Sequence, residues 1–389
     1  MQSKYKSCAG FTLAEMLIAL IVGTLVMGTA VQIFSRSMGA TWVVSQKAEM
    51  QQDARAAMNL LTKDIRMAGG GLPSGGVGLA AGTAVTPAYG LDYTGTGYLG
   101  SNNNAGLNFP IPSGSTVPFL YGALPACGKG ITLNAGQGAT DIITVAYVDS
   151  NFPLQDYQVT FNNTNGTSVT FTSTNAADPG VNSTAVGLQQ GDIVLFQAKI
   201  GSGSSATTGY AVAEVTGPAG AGAGPSYTVL FANSDALKLN QTAATSNEMK
   251  QIVSNVGAVD PGALAKRVWL ITYYLWNEPN PAGGTPIPVL MRQVNARKPV
   301  PVAENVVNLR FTYDTYDSTG TLQNATCDGG ESLGVSPNEI RTINVTHLTF
   351  RSQLAGVSNS GLSTSKGYQS IDLQATLSAR NLSFSQRYQ

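Results

Sequence analysis

Charge is scarce in this chain. Asp, Glu, Lys and Arg make up 11% of its 389 residues, against roughly 25% in an ordinary soluble domain. The 22 basic and 22 acidic residues cancel. The protein as a whole therefore has no field to draw in nucleic acid, and none is expected as a partner. Histidine occurs once, at His347, and cysteine three times, at Cys8, Cys127 and Cys327. That supply is too small for a His/Cys metal centre and gives a catalytic histidine no partners. No acidic or basic tail is present, and no coiled-coil composition. What the chain has instead is glycine, 44 residues, with Ser, Thr, Asn and Gln dominating the polar remainder. A hydrophobic share of 43% supports a sizeable core, in one large domain or two modest ones. Low charge with many small polar residues suits an exported, β-rich protein.

The long apolar run lies near the N-terminus. Residues 1–10, MQSKYKSCAG, are polar and carry Lys4 and Lys6. Phe11 to Phe34 follows, 24 residues with Glu15 as the sole charge. About 20 apolar residues in a helix span a bilayer, and the two lysines place the N-terminus in the cytoplasm. A secretory signal peptide has a shorter run and a small-residue cleavage site, which SRSMGATW does not supply. A lipoprotein reading of Cys8 fails because no apolar run precedes it. A plain anchor leaves Glu15 unexplained, since a carboxylate inside a bilayer costs about 3 kcal/mol or more unless paired.

The helical pattern continues past the membrane. Residues 35–68 contain no Pro and one Gly, and Met50, Ala54, Ala57, Leu61, Ile65 and Ala68 recur at helical spacing. Arg36, Lys47, Glu49, Asp53, Arg55, Lys63, Asp64 and Arg66 mostly lie elsewhere on the wheel. Gly69-Gly70-Gly71-Leu72-Pro73 stops the pattern. The spacing predicts a helix from Phe11 to Ala68, roughly 87 Å long if continuous.

Gly10-Phe11-Thr12-Leu13-Ala14-Glu15-Met16-Leu17-Ile18-Ala19-Leu20 resembles the processing site of type IV prepilins and type II secretion pseudopilins. The resemblance implies cleavage between Gly10 and Phe11 by a prepilin peptidase, N-methylation of Phe11, and a role for Glu15 in assembly. A neighbour's N-terminal ammonium is the partner that makes a buried Glu15 tolerable. Ala14 and Met16 depart from the commonest family residues but stay apolar. Leu61-Thr62-Lys63-Asp64-Ile65-Arg66-Met67-Ala68-Gly69 resembles the end of the long helix in PilW-type minor pilins and in pseudopilin J. Major pilins are far shorter than 389 residues.

Beyond the helix, residues 69–138 read as long Gly/Ser/Asn-rich loops. From residue 141 the period becomes two. Strands are predicted at 141–149, 167–173, 191–199, 210–216 and 226–232, and again at 267–276, 287–294, 306–316, 341–352 and 368–381. A short helix is expected around 246–254. The later group reads as a second sheet, and its order is similar to the C-terminal half of PilW-type and J-type heads. GDIVLFQ with YAVAEVT resembles a strand pair of PilW-type proteins. The expected fold is α+β: a long helix packed on an antiparallel sheet head, pilin-like, with a β-rich insertion near 140–235. The expected division is a leader at 1–10, an assembly helix at 11–34, an amphipathic half at 35–68, loops at 69–138 and a β-rich head at 139–389.

The remaining chemistry is thin. Cys8 leaves with the leader, so Cys127 and Cys327 form an even pair in an oxidising compartment and are expected to make a disulfide. Alternation puts His347 on or near the face of Ile343 and Val345, as a structural or surface residue. Asp314, Asp317 and Ser318 sit in good turn chemistry and lack EF-hand spacing. Asp141, Asp149 and Asp156 suggest no paired-carboxylate site. Trp269 and Tyr273 share one strand face, Tyr274 and Trp276 the other, chiefly as core. Arg292, Arg297 and Lys298 are too few for a nucleic-acid groove. No metal, cofactor or catalytic residue is expected.

The leading expectation is therefore a PilW-like minor pilin that primes a type IV pilus and ends at or near its tip. It would begin as a single-pass inner-membrane precursor with a periplasmic head. The resemblance implies other minor pilins, the major pilin, the prepilin peptidase and the inner-membrane assembly machinery as partners, with a large tip adhesin among them. A pseudopilin J-like tip subunit of a type II secretion system is the alternative within the family. A tip adhesin that binds a surface ligand directly is the alternative outside it.

Overall fold

The computed structural model describes residues 10–80, 86–90, 107–133, 138–175, 180–200, 207–221, 225–241, 249, 252–253, 263–281, 283–316, 320–326, 336–352, 369–379 and 382. The chain divides into two compact units, residues 1–52 with 352–369, and residues 53–351 with 370–389. The protein is α+β, a long N-terminal apolar helix with a head of antiparallel sheets.

The helix, α1 (Leu13–Met67), begins in the first unit and ends in the second. In the first unit the side chains of residues 13–42 are exposed, Leu17, Leu25, Ile33 and Phe34 among them, as is Phe11 just ahead, and Met50 is buried. The hydroxyls in this stretch bond inward to their own helix, Thr24 to the carbonyl of Leu20 at 3.0 Å and Thr29 to that of Val26 at 2.9 Å. Such back-bonding leaves no hydroxyl needing water along an apolar rod. In the second unit the character reverses, and Ala54, Ala57, Leu61, Ile65 and Ala68 are buried, as the stripe predicts. Truncating Leu61 in such a site costs about 2–5 kcal/mol.

The helix stops where glycine permits it. Gly69 takes φ 77°, the left-handed conformation that closes a helix C-terminus. Its N–H donates to the carbonyl of Ala146 at 2.8 Å, and the N–H of Val148 donates to Gly70 at 2.7 Å. A Cβ on Gly122 would lie 2.5 Å from the Cα of Gly69, so glycine at 122 is required by this close approach.

The short strands come first: β1 (Val77–Gly78), β2 (Ala88–Tyr89), β3 (Leu107–Asn108), β4 (Phe119–Leu120) and β5 (Ala123–Ala126). The middle group is β6 (Ile142–Val148), β7 (Tyr157–Phe161), β8 (Ser168–Ser173), β9 (Ile193–Ile200), β10 (Thr207–Glu214), β11 (Gly217–Ala221) and β12 (Ser226–Leu230). The last group is β13 (Leu264–Glu278), β14 (Ile287–Val294), β15 (Val300–Glu304), β16 (Val306–Tyr316), β17 (Leu322–Thr326), β18 (Ile340–Arg351) and β19 (Ser370–Ser378).

Every pairing among these strands is antiparallel, but the grouping differs from the expected one. The expected second sheet does not stand apart from the insertion. In the seven-stranded sheet β13 joins β9 along its first half and β14 along its second, with β6 alongside. At 15 residues β13 is long enough to serve several partners in succession. The expected pair GDIVLFQ and YAVAEVT does form, as β9 and β10. Strands β7, β8, β11 and β12 make a separate four-stranded sheet over a core of Phe161, Phe171, Phe196 and Phe231. Strands β16 to β19 make another. Asp141 ties this last sheet to the large one, accepting the N–H of Phe311 at 2.9 Å, while its own N–H donates to Leu309 at 3.0 Å.

The loop region carries β1 to β5 among its described residues, so it is not structureless. The short helix expected near 246–254 is described only at 249, 252 and 253, which are helical.

Candidate assembly helix and the residues around it

Thr12 and Glu15 organise the start of α1. The Thr12 N–H and hydroxyl both donate to Glu15 Oε2, at 2.9 and 3.0 Å, and the Glu15 N–H donates back to Thr12 Oγ1 at 3.3 Å. This is a reciprocal capping box, which satisfies donors that a helix start leaves orphaned. It also fixes the Glu15 carboxylate at the helix N-terminus, on an exposed side chain. Gly10 and Phe11 lie just ahead, both exposed. A Cβ built on Gly10 meets nothing within 4 Å, and no positive φ is recorded there. The fold itself does not ask for glycine at that position.

The segment from Leu13 onward includes a stretch long and apolar enough to cross a membrane. Residues 5–31 match the family described as Prokaryotic N-terminal methylation motif. The chain carries the type IV pilin-like processing signal. No curated protein matches the chain, and no solved structure does. The motif supports a pilin or pseudopilin kinship for this N-terminal segment and points to a structural subunit that assembles with other pilins after processing by a prepilin peptidase. The motif and the apolar helix together fit an inner-membrane anchored precursor.

The other residues singled out in the sequence separate. Cys127 is buried and disulfide-bonded; its expected partner Cys327 lies outside the described residues. His347 is exposed, while Ile343 and Val345 are buried. The register of β18 against β19 shifts between Val345 and Leu348, and this bulge moves His347 off the face that strict alternation assigns to it. Its Nδ1 lies 2.8 Å from Asp372 Oδ2. Asp314 Oδ1 accepts from Asn344 at 3.2 Å; Asp317 and Ser318 lie outside the described residues. Among the described residues no cluster of three or more His, Cys, Asp or Glu side chains is placed to hold a metal.

Asp141, Asp149 and Asp192 each meet an arginine: Arg310 at 3.2 Å, Arg267 through its Nε at 2.8 Å, and Arg297. Asp149 and Asp192 share Arg267, whose Nη1 lies 3.9 Å from Asp192 Oδ2, while Asp141 is held elsewhere by Arg310; each carboxylate is tied into an arginine ion pair. Burial raises the pKa of Asp141 and Asp192 against the pull of their backbone donors and arginines. Trp276 packs with Tyr274, Ile142 and Met291 in a small cluster, whereas Trp269 and Tyr273 face the other way.

Asp64 is the residue the helical wheel misplaces. It is buried, and it accepts from Tyr273 Oη at 2.6 Å and from Arg292 Nε at 2.8 Å. The signal available in the sequence was its position three residues after Leu61 and one before Ile65, which puts it at the margin of the apolar stripe.

Proposed function

We propose that this protein is a PilW-like minor pilin. Cleavage between Gly10 and Phe11 and N-methylation of Phe11 convert an inner-membrane precursor into a filament subunit. That subunit helps prime assembly of a type IV pilus and resides at or near its tip. The observation that carries this reading is Glu15, set in a capping box at the start of an apolar helix whose outer half is exposed along its length.

The mechanism is non-covalent. Removal of the leader turns the Phe11 nitrogen into a terminal amine. Helix 11–34 then packs against neighbouring helices of like kind, and the Glu15 carboxylate of one subunit takes a neighbour's ammonium as its partner. A paired carboxylate is tolerated where a bare one is not. Gly10 fits this scheme, because its lack of a side chain serves the peptidase rather than the fold. The head, anchored on the second half of α1, stays outside the membrane, and the expected pairing of Cys127 with Cys327 belongs to that oxidising side.

Mass spectrometry of the N-terminal peptide, from membranes and from filaments sheared off the cell surface, tests the reading. A peptide beginning at N-methylated Phe11 in the sheared fraction is the expected result. An intact Met1 terminus confined to the membrane overturns it.

A further inference from the structure

The aromatic run around Trp269 and the basic residues 292–298 stand apart in the sequence and meet on one face of the large sheet. Trp269 pairs with Tyr147 on β6, and Ile271 pairs with Val294 on β14, so their side chains emerge together. They line a pocket of about 350 Å³, bounded on its polar side by Arg292, Arg297 and Lys298. That volume lies in the range of small-molecule clefts, roughly 300–1,000 Å³. It cannot admit a helix, whose diameter with side chains is about 10–12 Å.

The charge around this pocket is one-sided. Arg292 is paired with Asp64 and Arg297 with Asp192; the carboxylate side chains are 3% and 0% exposed, the arginines 21% and 40%. Both pairs thus turn their positive ends toward the pocket and their negative ends into the core. Arg267, paired with Asp149, lies 4.7 Å over the Trp269 ring, and Arg297 lies 5.9 Å from it. Lys298 is exposed and meets no carboxylate among the described residues. Four cations face three carboxylates, which leaves one uncompensated positive charge beside a half-buried indole.

We propose that this pocket binds a carboxylate-bearing sugar, a uronic acid residue of an acidic polysaccharide. Its carboxylate meets Lys298 and Arg297, and its ring lies against Trp269. A neutral sugar leaves the lysine without a partner. A nucleic acid needs a basic groove that follows several phosphates, and here one net charge is offered. The site adds a surface ligand to the head and does not depend on how the helix assembles.

The test uses the full-length protein in detergent micelles. Binding of tri-galacturonate is followed by calorimetry and by tryptophan fluorescence, beside a neutral gluco-oligosaccharide, a short oligodeoxynucleotide and a glutamate-rich peptide. Saturable binding of tri-galacturonate is expected, weakened by added salt and by about tenfold or more in Lys298→Glu, as for loss of one charge-assisted contact. Lys298 is exposed, so this variant leaves the fold intact, which the circular dichroism of the same sample verifies. The absence of saturable tri-galacturonate binding overturns the proposal. So does equal binding by Lys298→Glu, or tighter binding of the oligonucleotide or the peptide. None of these outcomes alters the N-terminal peptide, so the pilin reading stands or falls separately.

Discussion

The Asp64 carboxylate accepts a 2.6 Å hydrogen bond from the hydroxyl of Tyr273, 209 residues away in sequence. The same oxygen takes the Arg292 Nε–H at 2.8 Å, and Tyr147 reaches the other oxygen at 3.4 Å. One buried carboxylate thus fastens the end of α1 to three side chains on three strands of the large sheet, β6, β13 and β14. The phenol of Tyr273 is pushed far above its ordinary range by burial and by the neighbouring Asp64 charge, so it remains a donor at any physiological pH. Asp64→Ala removes the acceptor and leaves the partly buried Arg292 without its counter-charge. A loss of about 3–5 kcal/mol is expected. Tyr273→Phe should cost less, about 1–3 kcal/mol. Urea unfolding of the full chain, followed by the β-sheet signal, measures both; an Asp64→Ala variant within 0.5 kcal/mol or so of the parent is inconsistent with this account.

Glu214 gives the head a pH dependence of unusual sign. Its carboxylate is buried and accepts the N–H groups of Ala236 and Leu237, at 3.2 and 2.8 Å. Burial raises its pKa from 4.5 to about 7, and the nearby Asp235 adds to the rise. A folded-state pKa above the unfolded one means that the folded protein holds the proton more tightly. Stability from this group is full below about pH 4.5 and is lost as pH rises toward 7, with a slope of at most about 1.4 kcal/mol per pH unit. Asp141, Asp192 and Asp235 are raised in the same direction by burial. The head should therefore melt at a higher temperature at pH 5 than at pH 8, and Glu214→Gln should flatten the difference. Equal melting temperatures for the parent protein at the two pH values count against it.

Much of this architecture was legible because it rests on local patterns. The α1 stripe follows a period of 3.6 and the ten predicted strands a period of two, and each was readable from its own residues. Beyond residue 140, β7, β11, β15 and β17 were missed, although YQVTF in β7 alternates and was readable. β11 is made of Gly, Pro and Ala, and β15 carries Pro301; both sit at sheet edges, where a missing ladder donor is tolerated. β17, too, is an edge strand, of mixed polarity. What the sequence hides is long-range pairing. Nothing near Arg292 points to Asp64, and nothing near β6 says that it lies beside β13 rather than in a separate insertion. At the helix start the reverse holds, since Gly10, Phe11, Thr12 and Glu15 lie within five residues of one another, and the capping box of Thr12 and Glu15 is local.

The disulfide at Cys127 should contribute a few kcal/mol by limiting the unfolded chain. Cys127→Ser and reduction of the parent protein are expected to lower the unfolding midpoint equally, by about 2–5 kcal/mol of stability. Peptide mapping without reductant should recover the Cys127 peptide joined to that of Cys327. Recovery joined to Cys8 instead would contradict leader removal as well as the pairing.

Glu15 offers the sharpest separation of anchoring from assembly. Its carboxylate opposes insertion of a bare helix, so Glu15→Val makes the segment a better membrane anchor. It also removes the only group in helix 11–34 able to pair with a neighbour's terminal amine. The variant should be processed at Gly10 and retained in the membrane with its head folded. Its share in sheared filaments should fall by about tenfold or more, the effect of removing one partner of a buried ion pair. Glu15→Asp keeps the charge on a shorter arm and should give an intermediate share. Gly10→Val should act one step earlier, leaving Met1 in place and Phe11 unmethylated. The two blocks are told apart by the N-terminal peptide, cut in Glu15→Val and uncut in Gly10→Val. If both variants enter filaments as the parent does, the apolar helix is holding the subunits without its carboxylate, and Glu15 serves only as the N-terminal cap that Thr12 completes.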